Sequence, residues 1–216
     1  ADKRTLSLGT LSQGLIESGV RSGAMTRPVW APNQSAAEVW VGVGAALFRV
    51  PAADPSSPDL VQISLRSGPL KQIVALRFSP DGVRLALVAI GSDSTAEAYV
   101  GTVERAAKTV RIDNLVPVSP SDININDVGW NDDSTLYLVG SEGTGPGVWS
   151  VWSDGAQWTA RSHSNLYSPP TAIAASPLQY TWVESNKAVY RQRLPDWESP
   201  NPRESVVHGS SPTYLQ

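Results

Sequence analysis

The sequence predicts an all-β fold of repeated four-stranded antiparallel sheets, and three observations lead there. Short apolar, β-rich runs follow one another, with clusters of Pro, Asp, Gly and Ser between them. The runs recur in one order: matched positions Trp30, Phe78, Trp130 and Ala175 lie 48, 52 and 45 residues apart. Helical periodicity is weak, and Ser94-Thr95-Ala96-Glu97 alone reads as a brief helical turn. Periods of roughly 40–50 residues with four strands each are the signature of a β-propeller.

The elements can be read in order. Thr5-Leu6-Ser7-Leu8-Gly9 and Leu15-Ile16-Glu17-Ser18 read as the third and fourth strands of an incomplete blade, residues 1–22. The next blade, about 23–70, runs from Val29-Trp30 through Glu38-Val39-Trp40-Val41 and Leu47-Phe48-Arg49-Val50 to Leu60-Val61-Gln62-Ile63. Blade 71–118 opens on Val74-Ala75-Leu76-Arg77-Phe78. A Ser79-Pro80-Asp81-Gly82 turn then leads into Leu85-Ala86-Leu87-Val88. Pro sets φ near −65° in such a turn and Gly accepts positive φ. Blade 119–166 holds Asp127-Val128-Gly129-Trp130, Leu136-Tyr137-Leu138-Val139, Val148-Trp149-Ser150-Val151 and Trp158-Thr159. Blade 167–210 holds Ala172-Ile173-Ala174-Ala175, Tyr180-Thr181-Trp182-Val183, Ala188-Val189-Tyr190 and Ser205-Val206-Val207. Ser211-Pro212-Thr213-Tyr214-Leu215 reads as the opening of a further blade. That tail either completes the N-terminal half-blade or leaves an edge open. The expectation is one domain over 1–216, of about four complete blades and one incomplete.

Inner strands of a propeller lie between neighbouring blades and are buried on both faces, so continuous apolar runs suit them. Large aromatics fill the wedges between blades, and Trp30, Trp40, Trp130, Trp149 and Trp182 fall at positions expected to do so.

Composition narrows the function classes. Apolar residues make up 41% and charged residues 17% of the 216, which is globular and not disordered. The net charge is −3, and no basic stripe exists to track a phosphate backbone, which argues against nucleic acid. Cysteine is absent, so no disulfide, thiolate nucleophile or Cys-based zinc site forms. No run approaches the ~20 apolar residues of a membrane helix.

Catalytic signals are sparse. His163 and His208 stand alone in polar, loop-like contexts, and neither G-x-S-x-G nor H-E-x-x-H occurs. Gly143-Thr144-Gly145-Pro146-Gly147 lacks the Lys-Ser/Thr ending of a phosphate loop and joins two strands, so it reads as a hairpin. Asp122-Ile123-Asn124-Ile125-Asn126-Asp127 alternates oxygen ligands as a calcium loop does. It lacks Gly at position six and Glu at position twelve, and it suits a half-buried strand equally. No catalytic, cofactor or metal residue is assigned. Trp197, Tyr167 and Arg193 lie in loop-like segments and are the candidates for partner contact, since Trp, Tyr and Arg dominate binding hot spots.

Met25-Thr26-Arg27-Pro28-Val29-Trp30, Ala75 through Ala86, Val128-Gly129-Trp130 and Gly209-Ser210-Ser211-Pro212-Thr213-Tyr214 together carry a family likeness. In order and spacing they resemble the C-terminal propeller domain of the LpqB lipoproteins of actinobacteria. The resemblance implies a protein lipid-anchored, through upstream sequence, on the outer face of the cytoplasmic membrane. It also implies contact with the extracellular domain of a sensor histidine kinase of the MtrB type, in MtrAB-type two-component signalling. The leading expectation is therefore a noncatalytic interaction domain. The alternatives are a hydrolase or lactonase-like propeller with a central-channel metal, and a small-ligand or glycan binder using exposed aromatics.

Overall fold

The computed structural model describes residues 13, 15, 25–65, 68–106, 109–155, 158–162, 166, 168–175, 180–185, 188–193 and 204–208. Sixteen strands hold most of these residues, and they group by fours. The first unit comprises β1 (Val29–Trp30), β2 (Glu38–Val43), β3 (Ala46–Pro51) and β4 (Asp59–Leu65). The second comprises β5 (Gln72–Phe78), β6 (Arg84–Ile90), β7 (Ala96–Arg105) and β8 (Val110–Pro117). The third comprises β9 (Ile123–Trp130), β10 (Thr135–Glu142), β11 (Gly145–Trp152) and β12 (Trp158–Ser162). The fourth comprises β13 (Ala172–Ala175), β14 (Tyr180–Ser185), β15 (Ala188–Arg193) and β16 (Glu204–His208). Within each unit, consecutive strands pair antiparallel. The all-β propeller expected from the repeats is the observed architecture.

Two-residue alternation explains how one strand serves two cores. On β6, Leu85, Leu87 and Ala89 face a core shared with the first unit, while Ala86 and Val88 face a core shared with the third. On β10, Leu136 and Leu138 face the second unit, and Tyr137 and Val139 the fourth. Neither strand has a solvent face, which is why both read as unbroken apolar runs. The outer strands differ. In β4 and β8 the apolar Val61, Ile63, Val110 and Ile112 turn inward, and Gln62 and Arg111 turn out.

The outer strands also show a pairing that the repeat pattern does not announce. β4 and β8 hydrogen-bond to each other in parallel, Gln62 against Arg111 and Ile63 against Ile112. The first two units therefore fuse into one eight-stranded sheet, ordered β1-β2-β3-β4-β8-β7-β6-β5. The sheet curls until the Ile73 amide of β5 donates to the Gly44 carbonyl beside β2, at 2.7 Å. The result is a nearly closed barrel around Trp40, Leu47, Leu76 and Leu87. A polar network seams the same wedge. The buried Glu38 carboxylate accepts from Trp40 Nε1 at 3.0 Å and Arg105 Nη2 at 2.9 Å, and Arg49 links it to Asp59.

Several expectations need correction. Trp40, Trp149 and Trp130 are buried wedges, but Trp30 is 52% exposed. It sits on β1, where Pro28 limits the strand to two residues, and it looks onto the axis and not into a wedge. The side chain of Trp182 lies outside the described residues. Leu15, expected in a strand, has helical backbone and packs on Val41 and Phe48. The rest of that expected strand, Thr5–Gly9 and Ser211–Leu215 lie outside the described residues. Ser94 takes φ 70° in a loop, and Ala96 already begins β7, so no helical turn forms there.

Turns on one end of the strands are chained from unit to unit. Asn33 Nδ2 donates to the Pro80 carbonyl at 2.9 Å, and the Asp81 amide donates to Asp133 Oδ1 at 2.9 Å. Gly82 adopts φ 74°, and a Cβ there would stand 2.7 Å from the Pro32 carbonyl oxygen, so both conformation and space demand glycine. Asp132 makes the third unit's turn. Its Oδ1 accepts from the amides of Ser134 and Thr135, each at 2.8 Å. Partial burial pushes that carboxyl up, but the Ser134 and Thr135 hydrogen bonds outweigh it and hold the group below its usual range.

Candidate functional site

The first strand of each unit, β1, β5, β9 and β13, lies innermost, and together these strands bound an axial channel. Two cavities lie along it among the described residues. One, of about 350 Å³, opens among the chained turns and is lined by Val29, Trp30, Phe78, Trp130, Ile173 and Ala175, among others. The other, of about 160 Å³, lies toward the opposite end, between Arg27, Leu76, Asn126 and Thr171. Arg77 borders both, and Asp127 borders the smaller.

Arg77 and Asp127 form the partition. Arg77 Nη2 meets Asp127 Oδ2 at 3.0 Å, and Nη1 donates to the Leu76 carbonyl at 2.7 Å. Asp127 is 3% exposed. It also accepts from its neighbour's amide, Val128, at 2.9 Å and from the Ile173 amide of β13 at 3.1 Å. One carboxylate thus ties β5, β9 and β13. Burial drives the Asp127 carboxyl above its usual range. The Arg77 charge, the Ile173 and Val128 amides and the Arg27 charge pull it back only in part. The Trp130 indole completes the junction by donating to the Arg77 carbonyl at 2.9 Å.

Asp127 closes the oxygen-rich run that reads either as a calcium loop or as a half-buried strand, and the strand is what forms. That run is strand β9. Ile123 and Ile125 enter the core, Asn124 Oδ1 accepts from the Ala96 amide, and Asn126 Nδ2 donates to the Pro170 carbonyl. The signal available was an acid inside an otherwise apolar strand, which burial tolerates when a cation faces it. Gly143 and Thr144 make the expected hairpin, closed by Glu142 opposite Gly145, with Gly143 at φ 57°.

The polar groups of the site are engaged with one another. Asp127 has both oxygens engaged, and Ser79 Oγ is held between Asp81 and the Arg84 backbone. Among the described residues, no three His, Cys, Asp or Glu gather as a metal would need. No helix among them is long and apolar enough to cross a membrane.

Of the partner-contact candidates, Trp197 and Tyr167 lie outside the described residues, as does His163. Arg193 ends strand β15 opposite Tyr180 and is not in a loop; its side chain lies outside the described set. His208 likewise ends β16, opposite Ala188. Two exposed aromatics among the described residues stand outside those candidates: Trp30, which the repeat pattern places in a wedge, and Trp152.

Comparison with known structures supports the fold. A TolB-like protein from Agrobacterium tumefaciens superposes with a TM-score of 0.62 at 17% identity, over 87% of this chain and 63% of that one. The propeller domain of Cps50 (Swd1) from Myceliophteria thermophila gives 0.52 at 12% identity, over 75% and 50%. A puromycin-hydrolysing peptidase from Mycobacterium tuberculosis gives 0.52 at 14%, over 83% and 36%, a likeness of fold alone. Among curated proteins, Lipoprotein LpqB of Nocardia farcinica is 33% identical over 81% of the chain, and that of Rhodococcus opacus 30% over 84%. The chain spans about a third of those relatives, 29% and 31% of their lengths. The family model for the lipoprotein LpqB beta-propeller domain matches residues 1–213, and the chain belongs to that family.

Proposed function

We propose that this domain is a noncatalytic docking module of a cell-envelope lipoprotein, and that its partner is the extracellular domain of a sensor histidine kinase of the MtrB type. The observation that carries the docking reading is the cavity among the chained turns. It is apolar, it lies on the axis, and it presents a tryptophan with half its surface uncovered. Exposed aromatics beside an apolar hollow are what partner recognition uses. Among the lining residues the one charged group, Arg77, is already paired, so the hollow offers shape and apolar surface and not reactive groups. A rigid ring suits this task, because little ordering is needed when a partner arrives. The sensor as partner, and attachment to the outer face of the membrane, rest on kinship with lipoproteins.

Isothermal titration of the purified domain with the sensor's extracellular domain tests the reading. The expected result is saturable binding at micromolar or tighter dissociation constants. The absence of heat and of retention on a sensor column at tens of micromolar, as an order of magnitude, overturns the choice of partner.

A further inference from the structure

We propose that the turn-side axial cavity takes an extended polypeptide segment in which a lysine or arginine stands beside an apolar residue. The proposal rests on the docking reading of the same cavity and specifies the chemistry of its occupant.

Charge complementarity carries it. The floor is apolar, and its one cation is neutralised by Asp127. The rim is acidic. Pro80 of the lining is followed directly by Asp81, and Trp130 is followed by Asn131, Asp132 and Asp133. Two cations reach these turns: Arg84, whose guanidinium donates to the neutral Asp133 carbonyl and keeps its charge, and Arg105, which donates to the Gly82 carbonyl while paired with Glu38, so the three carboxylates remain in excess. The three carboxylates do not swing freely. Asp81 Oδ1 accepts from the Val83 amide at 2.9 Å, Asp132 Oδ1 from two backbone amides, and Asp133 Oδ1 from the Asp81 amide. Asp133 remains solvent-exposed at the edge. Negative charge is therefore fixed in place before any ligand arrives, which favours a cation and repels an acidic segment.

Trp30 supplies the second contact. Its ring is open to solvent beside the apolar lining, and an indole face is the best aromatic partner for an ammonium or guanidinium. The cavity's volume, about 350 Å³, lies near the small end of the roughly 300–1,000 Å³ typical of ligand sites. It admits a few consecutive side chains, not a folded surface. The apolar side chain of the segment enters the hollow, and its basic neighbour lies across Trp30 toward the acidic rim.

Three fluorescein-labelled peptides of about ten residues, alternating Pro and Val with Lys, with Gln or with Glu, test this by anisotropy. The Lys peptide is expected to bind about tenfold or more tighter than the Glu peptide, with affinity falling as salt rises. Trp30→Ala is expected to weaken the Lys peptide about fivefold or more. Asp133→Asn, which keeps the acceptor for the Asp81 amide, is expected to weaken it and flatten its salt dependence. Leu60→Ala, on the outer strand β4, is expected to change nothing. Unchanged melting temperatures establish that the variants fold. Equal or better binding of the Glu peptide, no binding of any peptide, or indifference to Trp30→Ala overturns the proposal. The same variants against the sensor domain separate the two readings. A sensor bound equally by wild type and Trp30→Ala overturns this site and leaves the docking role. Lys-peptide binding without sensor binding supports this site and overturns that partner.

Discussion

Trp40→Ala is expected to lower the unfolding free energy by about 3–5 kcal/mol, the range for deleting a large buried aromatic. Three losses combine there. Trp40 is fully buried in the wedge between the first two units, so its removal leaves a cavity in the barrel. Phe78 loses an edge-to-face partner whose ring centroid stands 5.0 Å away. Glu38 loses the indole donor, and Arg105, now 5.8 Å from the ring centroid, loses the aromatic face. For a chain of this size each kcal/mol moves the melting temperature by roughly 2–4 °C, so a fall of roughly 6–20 °C is expected. Differential scanning calorimetry reads it directly. A fall under about 2 °C shows that the wedge is not a packing keystone.

Arg77→Met is expected to destabilise the domain in a pH-dependent way. The pair is buried on the Asp127 side, and removing one partner from a buried pair costs roughly 3–5 kcal/mol. The low end applies, because the Arg77 side chain keeps 22% of its surface exposed. The sign with pH follows from the direction of the Asp127 shift. In the folded chain this carboxyl lies above its ordinary value of 3.8, because burial outweighs Arg77 and the two amides. Between the unfolded and folded values the native state holds a proton that the unfolded state has released. Stability therefore falls as pH rises through that window. Without Arg77 the carboxyl climbs further and the window widens upward. The variant should thus lie closest to wild type below the unfolded value, where Asp127 is protonated in both states. It should fall progressively behind toward neutrality. Urea denaturation across about pH 3–7 measures this, and a gap that is the same at every pH contradicts the pairing.

What could be read before the structure was whatever local pattern determines. Trp40, Trp130 and Trp149 fall at strand positions of the repeat that lie between sheets. The Ser79–Gly82 turn was equally legible, since its Pro and Gly are dictated by backbone geometry. A tryptophan on an innermost strand reads the same from sequence whether it enters a wedge or faces the axis, so the repeat does not place Trp30 on the axis. The difference arises from where neighbouring units place their own strands. The parallel β4–β8 pairing is long-range in the same sense, because neither amphipathic strand encodes its partner. The strand around Asp127 is legible in its alternating Ile residues, but the role of Asp127 is not. Its meaning depends on Arg77, 50 residues away, and on the Ile173 amide of the following unit. Arg193 reads as loop from sequence, yet pairing of Gln192 and Arg193 with Thr181 and Tyr180 carries β15 to that point.

The central claim is that the first strands of successive units converge side by side on one axis. The chain has no cysteine, so an engineered pair reports on this without background. A Cβ placed on Gly129 of β9 stands 3.5 Å from the Cβ of Ala175 on β13. That separation falls within the roughly 3.5–4.5 Å that disulfides span. In the double variant Gly129→Cys, Ala175→Cys, mild oxidation should give a single intramolecular disulfide, found as one linked peptide by mass spectrometry of a non-reducing digest. Two thiols that remain free under the same oxidation, or that link only between molecules, would place those strands apart and contradict the axial arrangement.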